Sequence, residues 1–156
     1  MKLFFAIFSL TLTIACAMTY QQPQTVAPES SILFQGSKAS MFKAAQQAIV
    51  AEGYQITNSN ESAGTISTAP RTVRLTPEQA DCGTTMGLDY LKDNRTSTSV
   101  AFGVIICEGK LIVKANIQGE YKPGQSGIQN ITFSCVSRGC LEKSLIDKIV
   151  VLFGSN

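Results

Sequence analysis

Five cysteines and no histidine limit the chemistry open to this 156-residue chain. A thiol attacks as the thiolate, which an adjacent base or cation must stabilise. Without histidine the commonest such partner is missing, together with the commonest general base and metal ligand. The densest cluster of reactive groups is Asp81 to Tyr90 (DCGTTMGLDY), where the thiol of Cys82 lies near the carboxylates of Asp81 and Asp89. A hydrolase or thiol enzyme built on this loop is the catalytic alternative. The loop lacks the glycine and lysine spacing of a P-loop. No C-x-x-C occurs, and Cys135-x4-Cys140 has no matching pair. No cofactor, metal or catalytic residue is therefore expected. The loop reads instead as a binding loop or as a segment held by Cys82.

Cys16 stands apart from the other four cysteines. Met1-Lys2 precedes an uncharged run, Leu3 to Ala15, that ends at it. The run is shorter than the roughly 18–20 apolar residues that span a bilayer, so it reads as an export signal and not a membrane helix. Thr13-Ile14-Ala15-Cys16 resembles the bacterial lipobox, which implies removal of residues 1–15 and acylation of Cys16. Ala15-Cys16-Ala17 is also an A-x-A site, where an ordinary signal peptidase would cut after Ala17 and free the protein. Residues 17–31 are rich in Gln, Pro, Ser and Thr without an apolar period. Residues 16–31 are therefore expected to be a lipidated cysteine and a flexible tether, which suits an anchored domain. Three acyl chains exceed the two-signal requirement for stable anchoring. Ala17, in place of Asp, resembles lipoproteins sent to the outer membrane, facing the periplasm.

Residues 32–156 have the size of one domain. Their charges are scattered, without the basic stripe of a nucleic-acid-binding protein. Ser37 to Glu52 has one apolar face (Phe42, Ala45, Ile49) and Gly53 as a stop, which predicts a helix. Tyr54–Thr57 and Thr65–Thr68 alternate as strands, the second with a possible extension past Pro70, and Thr76–Ser99 is polar and irregular. The strongest pattern flanks Glu108-Gly109. Pairing Val100–Cys107 with Lys110–Gln118 sets Ile106 opposite Leu111, Val104 opposite Val113, Phe102 opposite Ala115 and Val100 opposite Ile117, all on one face. A third strand, Ile128–Val136, places Ile131, Phe133 and Cys135 together. A terminal helix to Phe153 carries the stripe Leu141, Leu145, Ile149 and Leu152. The expected fold is α+β: an antiparallel sheet of about five strands with an N-terminal and a C-terminal helix on one face.

These faces constrain the remaining cysteines. Cys135 points to the helix side and Cys107 to the other, which disfavours a bridge between them. Cys82 can be stapled to Cys135 or to Cys140, closing a loop of more than 50 residues for roughly 2–4 kcal/mol. Ile105 and Ile112, directly opposed on the second hairpin face, form an apolar strip between Lys110 and Lys114. With Tyr121 in the following loop they are the candidate partner surface. The alternative is that Thr76–Ser99 folds over the strip and makes it core.

Helix, then Glu52-Gly53-Tyr54-x-Ile56, a polar turn and Gly64-Thr65-Ile66-x-Thr68 resembles the opening of small α+β domains in the lipoprotein component C family of the outer-membrane β-barrel assembly machinery. The resemblance covers residues 38–68 and does not extend to the cysteines. It implies a non-catalytic binding or scaffolding module with an envelope protein as partner. The anchor itself is testable. Intact mass of the mature protein should show lipid on Cys16, and Cys16→Ser should abolish it; an unmodified N-terminus at Met18 would reject the lipoprotein reading.

Overall fold

The computed structural model describes residues 20–107, 109–124 and 129–154. Cys16 and the export signal lie outside them. In chain order the elements begin with β1 (Tyr20–Gln21), β2 (Ser30–Leu33), α1 (Lys38–Ala51), β3 (Ile56–Asn60), β4 (Thr65–Thr68) and β5 (Arg71–Thr72). Three two-residue strands follow: β6 (Ala80–Asp81), β7 (Thr84–Thr85) and β8 (Leu88–Asp89). A 3-10 turn (Tyr90–Lys92) leads to β9 (Thr96–Cys107), β10 (Lys110–Tyr121), β11 (Ile131–Ser137) and α2 (Cys140–Gly154).

The fold corrects the expected five-stranded sheet. Eight strands form one antiparallel sheet, and β1, β7 and β8 form a second sheet of three. The cause is the length of the central hairpin. β9 and β10 each run for twelve residues, well past the expected ends, in the register read from sequence. Each outer edge is therefore long enough for two short strands in line. β10 pairs with β2 at Lys110–Val113 and with β11 at Ile117–Tyr121. β9 pairs with β4 at Gly103–Ile105 and with β5 at Ser99–Val100. β3 and β6 extend the two sides.

Sharing an edge leaves a gap where one short strand stops and the next begins. The gaps fall at Ala115 on β10 and Phe102 on β9, which are paired with each other. A buried amide without a partner is costly. Side chains fill both gaps. The Phe102 amide donates to Thr68 Oγ1 at 2.9 Å. The Ala115 amide donates to Glu142 Oε1 at 3.1 Å, and Ser137 Oγ donates to Glu142 Oε2 at 2.6 Å. Glu142 is only 4% exposed. It lies in the first turn of α2, where the helix dipole favours a carboxylate.

Both helices pack on the face that carries Val100, Phe102, Val104, Ile106, Leu111, Val113 and Ile117, all buried. α1 presents Met41, Phe42, Ala44, Ala45, Ala48 and Ile49, and α2 presents Leu145, Ile146 and Ile149. Each large apolar side chain buried here stabilises by roughly 1.5–3 kcal/mol. A Schellman motif ends α1: the Gly53 amide donates to the Val50 carbonyl and the Tyr54 amide to the Ile49 carbonyl.

The other end of this face is covered differently. Gly119 lies opposite Phe133, whose ring occupies the space a Cβ would need. Tyr90 stacks on Phe133 with ring centroids 4.5 Å apart and meets Tyr121 at 5.3 Å. Tyr20 completes the cluster at 6.2 Å from Phe133. Cys82, fully buried, is bonded to Cys135 below it. The connection Thr76–Ser99 thus folds over the same face as the helices. Part of the segment read as a tether falls within the described residues. β1 and β2 are paired strands, and the Gln24 and Thr25 amides donate to Asp81. Its composition shows no apolar period because it is held by backbone and polar contacts.

Removing either gap-filling group should cost more than an ordinary surface change. Each orphaned donor costs about 1–3 kcal/mol. Thr68→Val should lower unfolding free energy in urea by about that amount, and Glu142→Ala by more, because two donors lose their acceptor. Ser99→Ala, on the opposite face, should stay within about 0.5 kcal/mol of the parent.

Candidate functional site

The catalytic alternative depends on free groups in the Asp81–Tyr90 loop. Cys82 and Cys135 form a disulfide with Cα atoms 4.1 Å apart, so the thiol of Cys82 is already committed. Asp81 Oδ1 accepts the Gly83 amide at 2.9 Å, and Oδ2 accepts Thr25 Oγ1 at 2.9 Å and the Gln24 and Thr25 amides at 3.2 Å. Burial alone would raise this carboxyl, but the hydrogen bonds from Gly83, Thr25 and Gln24 outweigh it and hold it below the usual range. Asp89 Oδ1 accepts the Leu91 amide at 2.9 Å and caps the 3-10 turn. Tyr90 is buried, with its hydroxyl 2.7 Å from Thr85 Oγ1. A shallow concavity of about 550 Å³ beside the loop is lined by Gly87, Leu88, Asp89, Lys92, Asp93 and Asn94. Asp81, Cys82 and Tyr90 do not line it. The four groups that an active site would need are not gathered around one opening.

Tyr121 is not a free loop residue. It ends β10, half-buried against Tyr90, with the Arg95 guanidinium 4.9 Å over its ring. Arg95 grips Asp93 through Nε and Nη2, and its hydrogen bonds hold the Asp93 carboxyl down at about 2. Cys140, the other possible partner of Cys82, is an exposed thiol, as is Cys107. Among the described residues no group of three or more His, Cys, Asp or Glu side chains could hold a metal ion. Nor is any helix there long and apolar enough to cross a membrane.

The remaining feature is the second face of the large sheet. Strand alternation assigns to it the odd residues of β9 and the even residues of β10 and β11. The helices, the connection and the aromatic cluster all lie on the opposite side. Near the hairpin turn the face carries the row Thr65, Ile105, Ile112 and Ser31, and beside it Cys107, Lys110 and Leu33. Ile105 is 39% exposed, Leu33 82% exposed and Ile112 half-buried. Lys110 pairs with Glu29 at 2.6 Å at the rim. The connection that could have covered Ile105 and Ile112 does not do so.

Toward the far end the same face becomes a trough of about 610 Å³. Thr72, Ser99, Gln118 and Ser134 form one row of side chains across four strands, and Ser97, Glu120 and Thr132 form the next. The trough is absent from the sequence reading. Its only signal there is the alternation of small hydroxyl residues in Thr96–Ser99 and Thr132–Ser134, which resembles an ordinary solvated strand. The whole face can therefore offer an apolar patch with a basic rim and a hydroxyl-lined trough. Its side chains are mainly hydroxyls, amides, lysines and aliphatic groups, a set suited to non-covalent contact. No model of a known protein family matches the chain, and no curated protein matches it.

Proposed function

We propose that this protein is a non-catalytic lipoprotein of the bacterial cell envelope, acylated at Cys16. On this reading it is held on the periplasmic side of the outer membrane and binds an envelope protein through its open sheet face. One observation carries the proposal. Every covering element lies on one side of the eight-stranded sheet, and the uncovered side exposes Leu33, Ile105 and part of Ile112 between lysines. Apolar groups bared on an otherwise polar face cost solubility unless a partner uses them. The commitment of Cys82, Asp81 and Asp89 to internal bonds supports a binding role over the thiol-enzyme or hydrolase alternative. The resemblance of residues 38–68 to envelope lipoproteins is in keeping with it.

Ile105→Lys together with Ile112→Lys tests the surface. The double variant should retain its urea midpoint, because charges placed on an exposed face cost little. It should still fractionate with the outer membrane. After detergent solubilisation and affinity capture it should have lost proteins that co-purify with the parent. A folded double variant that keeps the same co-purifying proteins would remove the face from the binding role. A large fall in midpoint would show the two isoleucines to be core.

A further inference from the structure

The hairpin of β7 and β8 has a feature that the fold does not require. Its two-residue turn is Met86-Gly87, and both have positive φ, 53° and 78°. That is the conformation of a type I′ turn, which favours Asn or Gly at the first position. Met86 is the one non-glycine residue with positive φ among the described residues. A flexible apolar side chain is thus held in a disfavoured backbone conformation. It faces solvent for most of its surface: Met86 is 71% exposed and Leu88 76% exposed. A Cβ built at Gly87 would meet no atom within 4 Å, so the tip projects into open space. The base of the hairpin is rigid by contrast. It is fastened by the disulfide of Cys82, the Asp81 to Gly83 hydrogen bond and the Thr85 to Tyr90 hydroxyl contact.

The place where the N-terminal segment leaves the domain says what this tip faces. β1 is the third strand of the small sheet, with Tyr20 opposite Thr85 and Gln21 opposite Thr84 in antiparallel register. Thr85 is the last residue before the turn. The N-terminal end of β1, at Tyr20, therefore lies at the turn end of the β7–β8 hairpin. Only three residues separate Cys16 from Tyr20, so four Cα-to-Cα steps give a reach of at most about 14 Å. If Cys16 carries the acyl chains, the bilayer surface lies within that reach of β1, on the side of Met86 and Leu88. Tyr20 itself is 37% exposed there, and tyrosine suits the membrane interface.

We infer that the Met86–Leu88 tip is a second membrane contact: it seats its two apolar side chains in the bilayer interface beside the acyl anchor and so fixes which side of the domain faces the lipid. The inference rests on the acylation of Cys16 proposed above. Leu33, Ile105 and Ile112 lie on the large sheet, and Gly109 and Phe34 meet at the hairpin end of that sheet. Tyr20 of the small sheet contacts Tyr90 and Phe133 near the Tyr121 end of β10, so docking through the tip would use neither Leu33, Ile105 nor Ile112 and would leave them to a partner.

The chain has no tryptophan, so single substitutions supply a unique fluorophore. Met86→Trp and Leu88→Trp, each as the acylated mature protein, are incorporated in vesicles of phosphatidylethanolamine and phosphatidylglycerol. Val151→Trp is the control: Val151 is 70% exposed near the end of α2, where Phe153 meets Phe34. Leu88 lies outside the positive-φ turn, which guards against a Met86 variant that fails to form it. Both tip variants should shift their emission to shorter wavelength on vesicles and lose intensity to lipids brominated on the upper acyl chain. The control should do neither. If protein that floats with the vesicles keeps both tip tryptophans as wet as the control, as a tip reserved for a protein partner would, the membrane contact is overturned and the anchor stands. If the protein neither carries acyl mass nor floats, the anchor has failed and the inference falls with it.

Discussion

The sheet depends on two amides that no strand can satisfy. Phe102 and Ala115 are paired across the central hairpin, and each sits where the outer edge of its strand passes from one short partner to another. Their bonds to Thr68 and Glu142 allow β4 and β5, and β2 and β11, to share edges without a buried orphan. Glu142 does more than close a gap. It fixes the first turn of α2 to the middle of the sheet, and α2 then packs against α1. That bond ties α2 to the face on which the apolar residues of the hairpin are buried.

The disulfide and the aromatic cluster complete that face where the helices do not reach. Gly119 lets the Phe133 ring lie across β10, and Tyr90, Tyr121 and Tyr20 assemble around it. Cys82–Cys135 closes a sequence separation of 53 residues, worth about 4 kcal/mol by loop-closure entropy. Because Tyr20 belongs to this cluster, the N-terminal segment is held against the domain from that point onward. With the acyl anchor proposed at Cys16, this arrangement would give the domain a preferred orientation on the membrane, which a long free tether would not. The open face is the consequence of the same sidedness.

The central hairpin was legible because a single register puts eight apolar side chains on one face, even though Ile105, Cys107 and Ile112 make the other face partly apolar. Gly53 and the apolar stripes marked the helices for similar reasons. The strands β6 to β8 were not legible. Two residues have no periodicity, and their pairing is fixed by Cys82, Tyr90 and the type I′ turn, whose first residue is Met86 in place of the usual Asn or Gly. The strand count failed because alternation reports which face a residue takes but not how many partners share an edge. The site was legible in part. Side-chain parity disfavoured a 107–135 bridge and left Cys135 and Cys140 as partners for Cys82. It also assigned Ile105 and Ile112 to the second face. Tyr121 was misread as a loop residue because β10 runs past Gln118 to include it.

The one-sided covering of the sheet is the claim on which the functional reading stands. Methyl-resolved NMR of the mature protein, with a soluble paramagnetic agent added, measures it directly. The Ile105 and Ile112 methyl signals should broaden with added agent, Ile105 the more strongly, while those of their chain neighbours Ile106, Leu111 and Val113 remain sharp. Equal protection of all five would mean that the second face is also buried and would contradict the account.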